Sequence, residues 1–229
     1  MKSFHAIRKN QVLLGITLTV ALVNLWIIYQ VAPVVVEQEM AQKIFYYHVP
    51  LAWNTFLAYL VVAITGGAYL VTNDPKWDTW SLAGAEVGTL FALLILITGP
   101  IWATPIWGKS WSWEPRLTTT LVLFLIFLGY FMIREFGGPY ERSSRYAAAV
   151  GIIAVIDIPL ILTAVTWWAP EVQSHPQMEM GSQPASILNV FLFSLFSFIL
   201  ILVYMILYRR HVGELTYRRL TQQGGANHV

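Results

Sequence analysis

Six apolar stretches, each long enough to cross a hydrocarbon layer as a helix, constrain this chain more than any other feature. They run roughly over residues 12–36, 51–71, 81–105, 117–134, 146–167 and 187–208. A helix needs about 20 apolar residues to span a bilayer core, so each stretch suffices. Only 11% of residues are charged, against about 25% in soluble domains. The expected fold is therefore all-α: a polytopic membrane protein with six transmembrane helices, forming one domain over 1–229. No connection is long enough for a second domain, and no internal repeat is visible. The first stretch follows a basic tail (Lys2, Arg8, Lys9), as a secretory signal would. It exceeds a typical signal core and has no small-x-small cleavage site before Glu37, so an uncleaved helix is expected.

Lysine and arginine collect in cytoplasmic connections, and their placement sets the orientation. With the N-terminus inside, eleven of the fourteen fall in inner segments and only Lys43, Lys109 and Arg116 in outer ones. Both termini are then cytoplasmic, and the outer loops are 37–50, 106–116 and 168–186. Net charge is +2 and cysteine is absent. The first offers no polybasic surface for nucleic acid; the second removes disulfides and thiolate metal sites. No Walker motif, glycine-rich phosphate loop, HExxH pair or GxSxG elbow occurs. Energy for any uphill movement would have to come from a partner.

The orientation also sorts the aromatics. Seven of the ten tryptophans fall on the outer side, Trp53, Trp102, Trp107, Trp111, Trp113, Trp167 and Trp168, against Trp77 and Trp80 inside. Interfacial belts enrich tryptophan at both membrane surfaces, and Trp26, Trp53 and Trp102 taken singly fit a belt. Three indoles within Trp107–Trp113 do not need one. In a helix Trp107 and Trp111 share a face by i,i+4 spacing; in extended chain Trp111 and Trp113 do. Either way two rings can present one surface to a large flat ligand.

His48 and His175 are the only outer histidines; His5, His211 and His228 lie in cytoplasmic tails. Two imidazoles on opposite sides of a flat ring would complete six-coordinate haem iron. Indoles would cover the porphyrin, and Arg116 or Lys109 would pair with its propionates. A zinc or copper site from His48, His175 and a glutamate is the alternative. Met178 and Met180 follow His175, so Met178 could compete as a soft axial ligand; apolar loop packing is the blander role. No histidine is expected within a span, against a haem held at membrane depth. No lysine or arginine is expected mid-span either, so buried carboxylates lack a counter-ion there. Asp157 lies near the middle of the fifth span, where it could bond a carbonyl freed by Pro159 or serve passage of a ligand or proton. Glu86 is expected to snorkel at the inner interface or meet a partner. Gly84 and Gly88 form a small-xxx-small pair suited to close helix packing.

These residues carry a resemblance. The run Trp107-Gly108-x-x-Trp111-x-Trp113-Glu114-x-Arg116-Leu117-Thr118 is similar to the tryptophan-rich "WWD" segment of haem-handling proteins. With Tyr47-His48-Val49-Pro50-x-Ala52-Trp53, the Trp167-Trp168 pair and the short six-span chain, it resembles the cytochrome c maturation protein C family, also called haem exporter protein C. The resemblance covers nearly the whole chain. It implies a haem-binding protein, not an enzyme, that holds haem b transiently at the periplasmic face of a bacterial inner membrane. It also implies axial ligation by His48 and His175, contacts from Trp107, Trp111, Trp113 and Glu114, and flanking roles for Trp53, Arg116, Trp167 and Trp168. The implied partners are a haem chaperone and an ATP-binding-cassette ATPase with its membrane subunit. Three positions depart from the family pattern. Glu114 stands where aspartate is usual, six residues separate Trp168 from His175, and Asp157 occupies a place expected to be neutral and polar. Two other classes fit the bare residues: a membrane metalloenzyme subunit with an outer His/Glu metal site, and a structural transporter subunit that docks a partner through the tryptophans.

Overall fold

The computed structural model describes residues 2–168 and 183–226. It is helical, with no strand among the described residues. The helices are α1 (Lys2–Gln30), α2 (Phe45–Thr72), α3 (Pro75–Trp107), α4 (Pro115–Phe136), α5 (Tyr140–Ala154), α6 (Asp157–Thr163) and α7 (Ala185–Ala226). A 3-10 helix (Glu39–Ile44) leads into α2, and a π-helical turn (Ala164–Trp168) follows α6. Helices α5, α6 and the π turn together make one interrupted span, giving six segments among the described residues that are long and apolar enough to cross a membrane.

The helix limits differ from the hydropathy reading for local reasons. Helix α1 stops at Gln30 rather than continuing to residue 36. Ala32 N–H closes back on the Ile27 carbonyl at 2.8 Å, and Pro33 disfavours helix in the residue before it. The Lys43 ammonium then caps the freed Tyr29 carbonyl at 2.6 Å, a favourable site for a cation at a helix C-terminus. Helix α2 starts at Phe45, not 51, and carries Pro50 inside it. His48 is therefore in the first turn of a helix and buried, not in a loop. A proline reads as a boundary in sequence, but here the helix tolerates it close to its start.

One core joins the ends of four helices around His48: Ile28 of α1, Phe45, Tyr46 and Val49 of α2, Trp102 of α3, and Ile187, Val190 and Phe191 of α7. A second runs through the middle, with Tyr59 stacked on Phe127 at 3.6 Å and Tyr130, Val62, Ala147 and Ile161 packed beside them. Helices α2 and α3 approach closely at Gly84 and Gly88. A Cβ at Gly88 would fall 2.7 Å from Tyr59 Cε1, and one at Gly84 would fall 3.0 Å from the Ala58 carbonyl oxygen. This close approach is what the small-xxx-small spacing suggests.

The opposite end is fastened by ion pairs. Asp78, 2% exposed, accepts both Arg134 terminal nitrogens at 2.7 Å, the Tyr140 hydroxyl at 2.6 Å and the Ser144 hydroxyl at 3.2 Å, tying α3 to α4 and α5. Glu86 does not merely snorkel or await a partner protein: it pairs with Arg209 of α7 at 2.5 and 2.6 Å. Arg134 comes from the last turn of α4 and Arg209 from the interior of α7, both outside the middle of the spans read from hydropathy. Asp157 opens α6, and its Oδ2 is buried without a hydrogen-bond partner.

Candidate functional site

A cavity of about 430 Å³ opens between α2, α3, α4 and α6 at the end of the bundle that carries His48. That volume lies in the range of small-molecule sites, about 300–1,000 Å³. Its walls are mainly apolar, from Phe56, Ile95, Leu117, Leu123, Ile161 and neighbouring residues. His48 stands on one side and Arg116 on another.

His48 is placed by α2 and held by α3. Its Nδ1 lies 2.9 Å from Thr98 Oγ1, and its ring meets Trp102 edge-on with centroids 5.7 Å apart. Gly99 leaves the space for the imidazole, since a Cβ there would stand 3.3 Å from His48 Cε1. Arg116 lies in the first turn of α4, which begins at Pro115, a residue suited to that position. Its Nε donates a long hydrogen bond of 3.5 Å to the Ile161 carbonyl. The buried Glu114, just before α4, acts on Arg116 by charge attraction.

Gly108 turns the chain out of α3 at a φ of +69°, a left-handed conformation that glycine adopts without strain. Residues 109–114 then run without helix. In this open segment Trp111 and Trp113 meet edge-to-face at 5.7 Å, while Trp107 packs towards Trp102 at 6.4 Å. The segment is extended, the second of the two geometries weighed for the cluster, but Trp111 and Trp113 do not present one surface: they meet edge-to-face, and of the two only Trp111 lines the cavity.

The structure thus brings His48, Trp53, Trp111 and Arg116 together on one cavity. Trp107, Trp111 and Glu114 border a small adjoining recess with Lys109. Trp113 (75% exposed) and Trp167 (83% exposed) are not among the cavity walls and face outward. Trp168 ends the π turn; His175 and Met178 lie outside the described residues. Among the described residues no three His, Asp or Glu side chains converge as a metal site.

Sequence reasoning passed over Thr98 and Gly99 and assigned Trp102 to an interfacial belt. Trp102 is in fact 8% exposed and lines the cavity. The signal was available: Thr98-Gly99-Pro100 interrupts an otherwise apolar span, with Trp102 one turn beyond Thr98. Trp102 and Trp111 each bury an indole N–H with no hydrogen-bond partner. Leaving such a donor unmet costs about 1–3 kcal/mol. One imidazole and one guanidinium between apolar and aromatic walls suit a largely apolar ligand that carries an anionic group.

The model of the family described as heme exporter protein C matches residues 2–224. A putative cytochrome c biosynthesis ccmC-like mitochondrial protein of Marchantia polymorpha is 36% identical over 161 residues, 70% of this chain and 68% of that protein. Heme exporter protein C of Bradyrhizobium diazoefficiens is 35% identical over 150 residues, 66% of this chain and 57% of that protein. Heme exporter protein C of Escherichia coli K12 is 29% identical over 170 residues, 74% and 69% of the respective chains. The matched stretch therefore spans just over half to about two thirds of the curated relatives.

Proposed function

The chain belongs to the heme exporter protein C family, and from that premise we propose that it is a haem-handling membrane component of cytochrome c biogenesis, not an enzyme. It holds haem b transiently in the cavity beside His48, at the periplasmic face of a bacterial inner membrane, and passes it to a haem chaperone. The observation that carries this reading is the cavity itself. A buried imidazole and a guanidinium share a compartment of about 430 Å³ whose remaining walls are mainly apolar and aromatic.

The roles follow from the side chains. His48 would hold the haem iron, and His175, or Met178 in its place, would be the second protein ligand. Arg116 pairs with a propionate; its planar fork suits a carboxylate, and its half-buried position strengthens the attraction. Trp53, Trp102 and Trp111 cover the macrocycle and keep water from it. The exposed Trp113 and Trp167 lie where an incoming chaperone would meet the site. Bound haem contributes a Lewis-acidic iron that accepts imidazole; the chain contributes position, burial and charge. The sequence has no nucleotide-binding motif, so the work of transport falls to an ATP-binding-cassette ATPase and its membrane subunit in the same assembly.

Haem titration of the purified, detergent-solubilised protein tests this reading. Wild type is expected to develop a Soret band at one haem per chain. His48→Ala should weaken binding by more than tenfold, and Trp111→Ala by about tenfold, the ~1.4 kcal/mol that a lost aromatic contact can represent. Stoichiometric zinc binding without haem would favour the metalloenzyme subunit. Haem binding indifferent to both substitutions would remove the cavity from the account.

A further inference from the structure

The reading of His48 as an iron ligand leaves open which ring nitrogen does the ligating, and α3 answers it. The Thr98 hydroxyl lies 2.8 Å from the Leu94 carbonyl oxygen and 2.9 Å from His48 Nδ1. A carbonyl oxygen can only accept, and a hydroxyl has one proton to give. With its proton engaged by Leu94, Thr98 is left to accept from His48, an arrangement in which His48 carries its proton on Nδ1.

We infer that Thr98 is a positioning residue that holds His48 as its Nδ1–H tautomer, and so assigns Nε2 as the metal-ligating nitrogen. This deepens the haem reading and rests on it for the identity of the metal. Three successive features of α3 fix the ring: Thr98 anchors Nδ1, Gly99 leaves room at Cε1, and Trp102 lies edge-on to the ring. The choice of acceptor also bears on strength. Ligating histidines often donate their second N–H to a carboxylate, which makes the imidazole more basic and the metal bond firmer. A neutral hydroxyl, already committed to Leu94, gives less of that push. Such a ligand orients the iron yet gives it up readily, as a handover site requires.

The test has a haem-free arm and a haem arm. In ¹⁵N-histidine-labelled protein without haem, at alkaline pH, the His48 ring resonances are assigned by their loss in His48→Gln. Wild type and Thr98→Ser should show a protonated Nδ1 and an unprotonated Nε2. Thr98→Val, which keeps the side-chain shape and loses the hydroxyl, should show a mixture of tautomers; Thr98→Ala serves if the valine variant does not fold. In the haem arm, Thr98→Val should weaken binding about tenfold, the lower end of outer-partner losses, with Thr98→Ser within twofold of wild type. A proton on Nε2 in the wild type, or an unchanged Nδ1–H tautomer in both Thr98→Val and Thr98→Ala, overturns the inference whatever haem does. The expected tautomers with no haem binding in any variant would uphold the role of Thr98 and refute the haem reading alone.

Discussion

Asp78 shows what a buried charge demands in this fold. It is nearly inaccessible and takes four donors from three residues. Breaking a buried pair by removing one partner typically costs about 3–5 kcal/mol, whereas replacing both by apolar groups of similar volume is often neutral. Arg134→Met should therefore lower the thermal unfolding midpoint in detergent sharply, and Asp78→Leu combined with Arg134→Met should recover most of the loss. An additive double variant would mean that the pair does not act as a unit. None of this was legible in the sequence. Asp78 stands just outside a span drawn by hydropathy, Arg134 lies 56 residues further on, and no local pattern connects them. His48 was legible as a chemical group but not as a buried one, because Pro50 marked a helix start that the chain places five residues before it. Glu86 was visible as a costly carboxyl, yet its partner Arg209 is 123 residues away.

Among the helices, the α2–α3 contact is the most sensitive to size. Gly88→Ala would drive a methyl into the Tyr59 ring, already stacked on Phe127. Overpacking of this kind costs about 1–3 kcal/mol. Gly67→Ala, on the same pair of helices with nothing within 4 Å, should be neutral or slightly stabilising, since glycine is the poorer helix former. Thermal midpoints of the two variants compare them directly; equal shifts would contradict the packing described. Six spans were readable at this scale because apolar length is a strong signal. Their ends were not, because hydropathy trims the polar turns: α3 begins at Pro75 and α7 runs on to Ala226. At about 1.5 Å per residue, the 42 residues of α7 reach about 63 Å, well beyond a bilayer core of about 30 Å.

Across the whole molecule the two ends differ in kind. One gathers His48, Arg116 and the tryptophans around a cavity; the other carries the Asp78–Arg134 pair and most of the cations. The excess of Lys and Arg predicts that the second end is cytoplasmic. Because the chain has no cysteine, single-cysteine variants report this directly. Glu37→Cys, exposed at the histidine end, should react with a membrane-impermeant maleimide from outside. Glu135→Cys, exposed at the other end, should react only after permeabilisation. The reverse pattern would invert the orientation and put the cavity in the cytoplasm. The parts of the site were readable from residue types, since His48, Arg116 and Trp111 are where imidazole, guanidinium and indole had to come from. Their enclosure by Thr98, Gly99 and Trp102 was not, because it depends on how α2 lies against α3. The central claim is that the His48 imidazole is an iron ligand in this cavity, and electron paramagnetic resonance of the ferric haem-loaded protein tests it most directly. Wild type should give a six-coordinate low-spin signal; His48→Ala should turn high-spin and regain the low-spin signal on adding imidazole. A His48→Ala protein that keeps the wild-type signal without added imidazole would contradict the account.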